Sequence, residues 1–298
     1  MPVIQGSNFQ NDLEKVCRKG FDLGLGREVA DRKSLFYNVQ STTKLNEEIL
    51  DLGDIDTVPE FDGTLAYADL EENYKMTITQ KVYAYGMQID WKYIKTSQLG
   101  IAKSLPKKLG LAMRRRIAAD AVSPFSNAFN TTITTRDALQ LCSTAHTSSV
   151  GGASQSNYAT QAFSAVALEA RKLSMRKFTS NKDAVLDIQP NMLVGPVDLE
   201  DAFDEVNKSN GKVNTDINNI NVHKGKYTVV TDVRLTDTNN WFLIDKELMK
   251  EYLQWFDVSP VEFSQTGDFD GMTAKYMTRT FYGLGPTGWE WIFGSEVS

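Results

Sequence analysis

The hydrophobic pattern is clearest from Lys75 to Asp90, where Met76, Ile78, Val82 and Ala84 alternate with Thr77, Thr79, Lys81, Tyr83 and Tyr85. A period of two in β-branched and aromatic residues predicts a half-buried strand. Pairing back on residues near Thr64 to Leu70 would make a long two-stranded ribbon. Such a ribbon is marginal alone in water and needs a surface, which another subunit can supply. The period then changes. Leu105, Leu109, Ala112, Met113 and Ile117 recur at helical spacing and predict a helix from Ser104 to Ala121. Ser104 can cap it, Pro106 is tolerated in the first turn, and Ser123-Pro124 ends it.

A second helix is predicted from Ala162 to Lys177, with Phe163, Val166, Ala170 and Leu173 as its buried stripe. A third follows Gly195-Pro196, with Asp198, Glu200 and Asp201 in its first turn and Gly211 beyond its end. Between them AVLDIQPNMLVG reads as a buried strand. KYTVVTDVRL and WFLID flank TDTNN as a hairpin, Lys246 to Trp255 fits a short helix, and MTAKYMTRTFYGLG alternates again. Trp289, Trp291 and Phe293 alternate in the closing strand as core residues. The first forty-odd residues are polar and loosely patterned. Their glycines lack the GK[ST] of a phosphate loop, so they read as a flexible arm that packs on something else. The expected class is α+β, with no regular βαβ series.

Charge changes the picture more than composition does. The 298 residues carry a formal charge of −6, with 41% hydrophobic and 23% charged residues, which argues against a dedicated nucleic-acid binder. Two cysteines point to a reduced chain, and no apolar run is long enough to cross a bilayer. Yet Glu47, Glu48, Asp51, Asp54, Asp56, Glu60, Asp62, Asp69, Glu71 and Glu72 form a block with no basic residue. A solvated loop is the plain reading of it. The Ser104 helix carries the opposite sign in Lys107, Lys108, Arg114, Arg115 and Arg116, preceded by Lys103. That helix could contact phosphates, face solvent, or dock the acidic block of a neighbouring chain. Composition does not choose among the three.

Candidate chemistry is sparse. Cys142 and His146 lie in LCSTAHTSSVGGASQSNY, and a cysteine hydrolase would use them as nucleophile and base. Serines and glycines favour a loop over the helix that would bring i and i+4 together, so the stretch reads as a polar surface loop with an incidental thiol. Cys17, Cys142, His146 and His223 are the whole stock of Cys and His, without the paired spacing of a zinc site. No catalytic, cofactor or metal residue is assigned.

Several stretches, taken in order, resemble the major capsid proteins of tailed bacteriophages, particularly the Mu-like major head subunit group. They are KVYAYGMQIDWKYIKTSQLGIAKSLPKKLGLAMRRRIA, the LCSTAHTSSVGGASQSNY loop, PNMLVGPVDLEDAFDEV, VVTDVRLTDTNNWFLID and FDGMTAKYMTRTFYGLGPTGWEWIFG. The resemblance covers roughly residue 45 to the end, and its strength is the order of moderate motifs.

That resemblance implies the Hong Kong 97-type capsid fold. Residues 1–44 would be an N-terminal arm, 45–92 an extended β-hairpin loop, 93–189 and 269–298 a peripheral domain with a long spine helix, and 190–268 an axial domain. The implied function is structural: hexamers and pentamers of this chain forming an icosahedral shell around double-stranded DNA, assembled in the host cytoplasm. The DNA contact would be weak and non-specific. Implied partners are the chain itself, a portal, and separate scaffolding or decoration proteins. An encapsulin-type shell or another virion component is the alternative. The acidic block is expected to meet Lys107, Lys108 and Arg114 to Arg116 of adjacent subunits.

Overall fold

The computed structural model describes residues 6–27, 31–55, 58–65, 67, 71–90, 99–211, 220–268 and 273–297. The arm contains a helix, α1 (Gly6–Leu25), where a flexible segment was expected, and a short α2 (Arg32–Phe36). Asp31 caps α2 by accepting from the Ser34 amide. The spine helix α3 runs from Leu99 to Ser126, longer than predicted at both ends. Pro106 and Pro124 both lie inside it. Proline removes one amide donor, and at the C-terminal end the Ser123 hydroxyl supplies a replacement, donating to the Asp120 carbonyl at 2.7 Å.

The glycines of the arm explain why α1 crosses α3 closely. A Cβ on Gly24 would lie 2.0 Å from the Lys107 carbonyl oxygen, and one on Gly110 would lie 2.4 Å from that of Phe21. Each helix therefore presents a bare backbone to the other. Phe21 stacks on Phe263 beside this crossing, with centroids 4.8 Å apart.

Among the described residues, eleven strands divide among three sheets. β1 (Asn38–Ser41), β9 (Leu253–Asp268), β10 (Thr273–Pro286) and β4 (Lys81–Asp90) form the first, in that order. The second follows the order β5 (Tyr158–Ala159), β11 (Ile292–Ser295), β8 (Trp241–Ile244), β6 (Met192–Gly195) and β7 (Thr228–Thr231). β2 (Asn46–Leu52) and β3 (Glu72–Thr79) pair antiparallel as a separate ribbon.

Three pairings differ from expectation. The alternating stretch from Lys75 is two strands broken at Gln80, one in the ribbon and one against β10. Alternation marks a strand but not its partner, and β3 pairs with residues 46–52, not 64–70. The expected hairpin around TDTNN is absent, because β6 lies between β7 and β8. β6 and β7 run parallel, connected through helix α5 (Glu200–Lys208), as a parallel pair requires a crossover. β9 pairs with β1 and β10 in the sheet nearest the spine helix, while β11 joins β8 in the other sheet.

The five-stranded sheet is covered on both faces, which is why MLVG and WFLI are unbroken apolar runs. Along β8, Trp241 and Leu243 enter one core with Phe203 and Leu168, while Phe242 and Ile244 enter the other with Phe125 and Trp255. Helix α4 (Ala165–Met175) lies on the first of these faces, capped by the Ser164 hydroxyl, which accepts from Ala167 N at 3.1 Å. Its buried residues are Ala167, Leu168 and Met175, whereas Val166 and Leu173 of the expected stripe are 70% and 51% exposed. The predicted stripe was on the wrong face, since both faces of this helix carry apolar residues and periodicity alone could not rank them. Helix α6 (Lys246–Tyr252) is fixed by Asp245, whose carboxylate accepts from Glu247 N, Leu248 N and Gln189 N.

Candidate assembly interface

The connector from Leu141 to Tyr158, expected as a surface loop, is interior at its ends. Cys142 and Asn157 have no exposed surface and His146 has 1%. Asn157 holds the segment together. Its Oδ1 accepts from Ser143 N at 2.8 Å and faces His146 Nε2 at 3.1 Å, and its Nδ2 donates to the Leu141 and Ile292 carbonyls at 2.9 and 3.2 Å. His146 Nδ1 lies 2.6 Å from Asp137 Oδ2, and its ring stacks on Trp289 with centroids 4.5 Å apart. Burial raises the Asp137 carboxyl, but hydrogen bonds with His146 and Thr135 outweigh it and hold the group below its ordinary range.

Cys142 and His146 therefore belong to different environments. Burial drives the Cys142 thiol well above its ordinary value, and its sulfur packs in the space that a Cβ on Gly294 would need. A reactive cysteine needs the opposite, a stabilised thiolate. His146 is engaged at both ring nitrogens by Asp137 and Asn157.

The acidic block lies on the β2–β3 ribbon and its turn, and about half of it already has partners in its own chain. Glu47 pairs with Lys44 at 3.3 Å and accepts from the Thr42 hydroxyl; Glu48 pairs with Lys75 at 2.7 Å. Asp51 lies 3.2 Å from Arg136 Nε, and Glu71 lies 3.8 Å from Lys182. Asp54, Glu60, Asp62 and Glu72 are exposed and make no ion pair among the described residues. Asp56 and Asp69 lie outside the described residues.

The basic helix divides similarly. Arg116 binds Asp120 at 2.9 Å and lies over Tyr83 at 4.5 Å, while Tyr282 donates to the same carboxylate at 2.6 Å. Arg116 is thus anchored in its own subunit. Arg114 is half-buried, and Lys107, Lys108 and Arg115 are exposed without an ion pair among the described residues. Sequence reasoning counted charges and overlooked what lies between them. Ile55, Val58, Phe61, Leu65 and Tyr67 are 51%, 86%, 72%, 63% and 86% exposed on the ribbon's turn. Their signal was in the sequence, as apolar residues interleaved with acids. Arg136 and Asn73, which tie the ribbon to the body, gave no such signal.

A spine helix under one sheet, a second sheet packed on both faces and a separate two-stranded ribbon are the arrangement of the Hong Kong 97-type fold. Solved structures share the arrangement. The chain from Microbacterium phage Oxtober96 aligns over 91% of this chain and 92% of its own, with a TM-score of 0.58 at 7% identity. That from Mycobacterium phage Patience aligns over 99% and 89%, with a TM-score of 0.58 at 8% identity. A virus-like particle from Pyrococcus furiosus aligns over 96% and 98%, at 0.51 and 9% identity. No curated protein matches. The phage capsid protein family model matches residues 73–293, and this chain belongs to that family. Membership makes it a structural component of a phage capsid.

Proposed function

We propose that this capsid subunit assembles as hexamers and pentamers whose β2–β3 ribbons cross onto adjacent subunits. The observation that carries the reading is the ribbon's turn, where Val58, Phe61, Leu65 and Tyr67 are exposed beside Glu60 and Asp62. A monomer gains nothing from exposed apolar residues concentrated at one tip; an interface core does. The unpaired acids Asp54, Glu60, Asp62 and Glu72 meet Lys107, Lys108 and Arg115 of a neighbour in this scheme, fixing register more than strength. In domain terms, α3 with the four-stranded sheet forms the peripheral unit and the five-stranded sheet with α4 and α5 forms the axial one.

The same proposal gives the chain no catalytic role, supported by the enclosed Cys142 and the fully engaged His146. Cys142→Ser then leaves assembly intact. Packaged double-stranded DNA is contacted weakly. Lys226, Lys246 and Lys250, which line a groove of about 520 Å³ without ion pairs among the described residues, supply salt-sensitive phosphate contacts. Portal and separate scaffolding or decoration proteins complete the particle, assembled in the host cytoplasm. Negative-stain microscopy of the purified protein tests the reading. Polyhedral shells or six-fold and five-fold capsomers are expected; a strict monomer at high concentration contradicts it.

A further inference from the structure

We propose that the ribbon's direction is set by a polar clasp within its own subunit, centred on Arg136, and that this clasp stays closed in the shell. The inference rests on the reading of the ribbon as an inter-subunit element. Arg136 lies in the connection between α3 and β5. Its guanidinium pairs with Glu290 on the body, places Nε 3.2 Å from Asp51 on β2, and sits 5.7 Å from the Tyr252 ring centroid. Burial disfavours the Arg136 charge, and Glu290 and Asp51 together more than offset it.

The second strand is held at the same level. Asp51 accepts from Asn73 Nδ2 at 2.5 Å. Asn73 Oδ1 in turn accepts from Ser149 N at 2.9 Å, Ser149 Oγ at 2.7 Å and Ser148 Oγ at 3.2 Å. One step further out, Asp54 N donates to Asn181 Oδ1 at 2.8 Å and Glu71 faces Lys182 at 3.8 Å. These contacts close around a cavity of about 320 Å³. Apolar packing holds the base of the ribbon, where Ile78 is buried against Gly285, but Leu50 and Leu52 beside the clasp remain 47% and 50% exposed. Directional hydrogen bonds to both strands fix an orientation that non-directional contact leaves free to tilt.

Orientation matters because the turn is remote from the clasp. Asp62 is about nine residues beyond Gly53, a reach of at most roughly 30 Å at the extended rise. At full reach a tilt of about 10° would move the tip by up to about 5 Å, more than the spacing of adjacent residues. Charge register with a neighbour would be lost by that much displacement. Arg136, Asp51 and Asn73 are therefore positioning residues for assembly.

The test compares particles from cells expressing wild type, the Asp51→Ala/Asn73→Ala double variant, and Asp51→Glu. The double variant is expected to yield at least ten-fold fewer closed shells, with open or irregular assemblies in their place. Its unassembled subunit should melt within a few degrees of wild type. Asp51→Glu still reaches Arg136 and should close shells. Closed shells at wild-type yield from the double variant overturn the proposal. If the double variant does not fold, a reconstruction of the wild-type shell decides. Asp51 against Arg136, and Asn73 against Ser149, in the same subunit support the clasp; a ribbon swung away from both contradicts it. Wild type that forms no shells at all sinks the assembly reading itself, a different outcome from a variant-specific loss.

Discussion

The connector from Leu141 to Tyr158 and the ribbon turn from Gly53 to Glu71 share one character in sequence: both are rich in small and polar residues and poor in periodicity. They have opposite fates. Cys142, His146 and Asn157 of the connector are interior, while Val58, Phe61 and Tyr67 of the turn face solvent. The difference lies in where each finds partners. The Asn157 side chain gathers five polar contacts from the connector and the C-terminal segment, so a polar segment can be buried without leaving unsatisfied groups. The turn has apolar side chains that nothing among the described residues covers.

The largest effect should come from breaking the connector. Asn157→Ala removes the side-chain partner of Ser143 N, the Leu141 and Ile292 carbonyls and one His146 nitrogen, at about 4 kcal/mol or more in total given about 1–3 kcal/mol for each buried unsatisfied group. Denaturant titration of the unassembled subunit should show a much lower midpoint, or no soluble protein. An unchanged midpoint would mean the connector is held by something else.

A smaller loss is expected at the helix crossing. Gly110→Ala forces a Cβ against the Phe21 carbonyl and should cost about 1–3 kcal/mol, read as a lowered melting temperature. The connector also has a pH signature. The Asp137 carboxyl is depressed in the folded chain, so its stabilisation is present above the ordinary carboxylate value and lost as pH falls through the folded one. Wild type should exceed Asp137→Asn in stability by a constant margin from about pH 5 upward, and that margin should shrink below about pH 4. A margin that grows on acidification reverses the assignment.

The smallest effect on the subunit should come from the turn. Glu60→Lys with Asp62→Lys should change subunit stability by no more than about 0.5 kcal/mol, as exposed substitutions do. The same pair should reduce shell yield, most strongly at low salt, where surface charges are least screened. Subunit melting and particle counts on one preparation separate the two.

Much of the architecture was legible because it is written in local pattern. Alternation located β3, β4 and β10, the third helix follows Gly195-Pro196 as its acidic first turn implied, and the apolar run MLVG is a fully buried strand. What failed was information held between distant residues. The break at Gln80, the insertion of β6 between β7 and β8, and the pairing of β3 with residues 46–52 depend on partners that a period of two does not name. The helix of the arm was missed because the segment is polar and loosely patterned, and its packing depends on Gly24 meeting Lys107 of a distant helix. The pairing of charges within the subunit was less legible. Opposite charges marked the ribbon and the spine, but Arg116 turned out to serve Asp120 and Tyr83, and Arg136 to hold Asp51.

The central claim is that the ribbon's exposed acids meet the exposed cations of a neighbouring spine helix, and a charge exchange tests it most directly. Lys107, Lys108 and Arg115 are changed to Glu in one variant, Glu60, Asp62 and Glu72 to Lys in a second, and both sets are combined in a third. Shell yield is counted by electron microscopy. The account predicts that each set alone abolishes closed shells and that the combined variant restores them. Normal shells from either single set, or no recovery in the combined variant despite folded subunits, would contradict it.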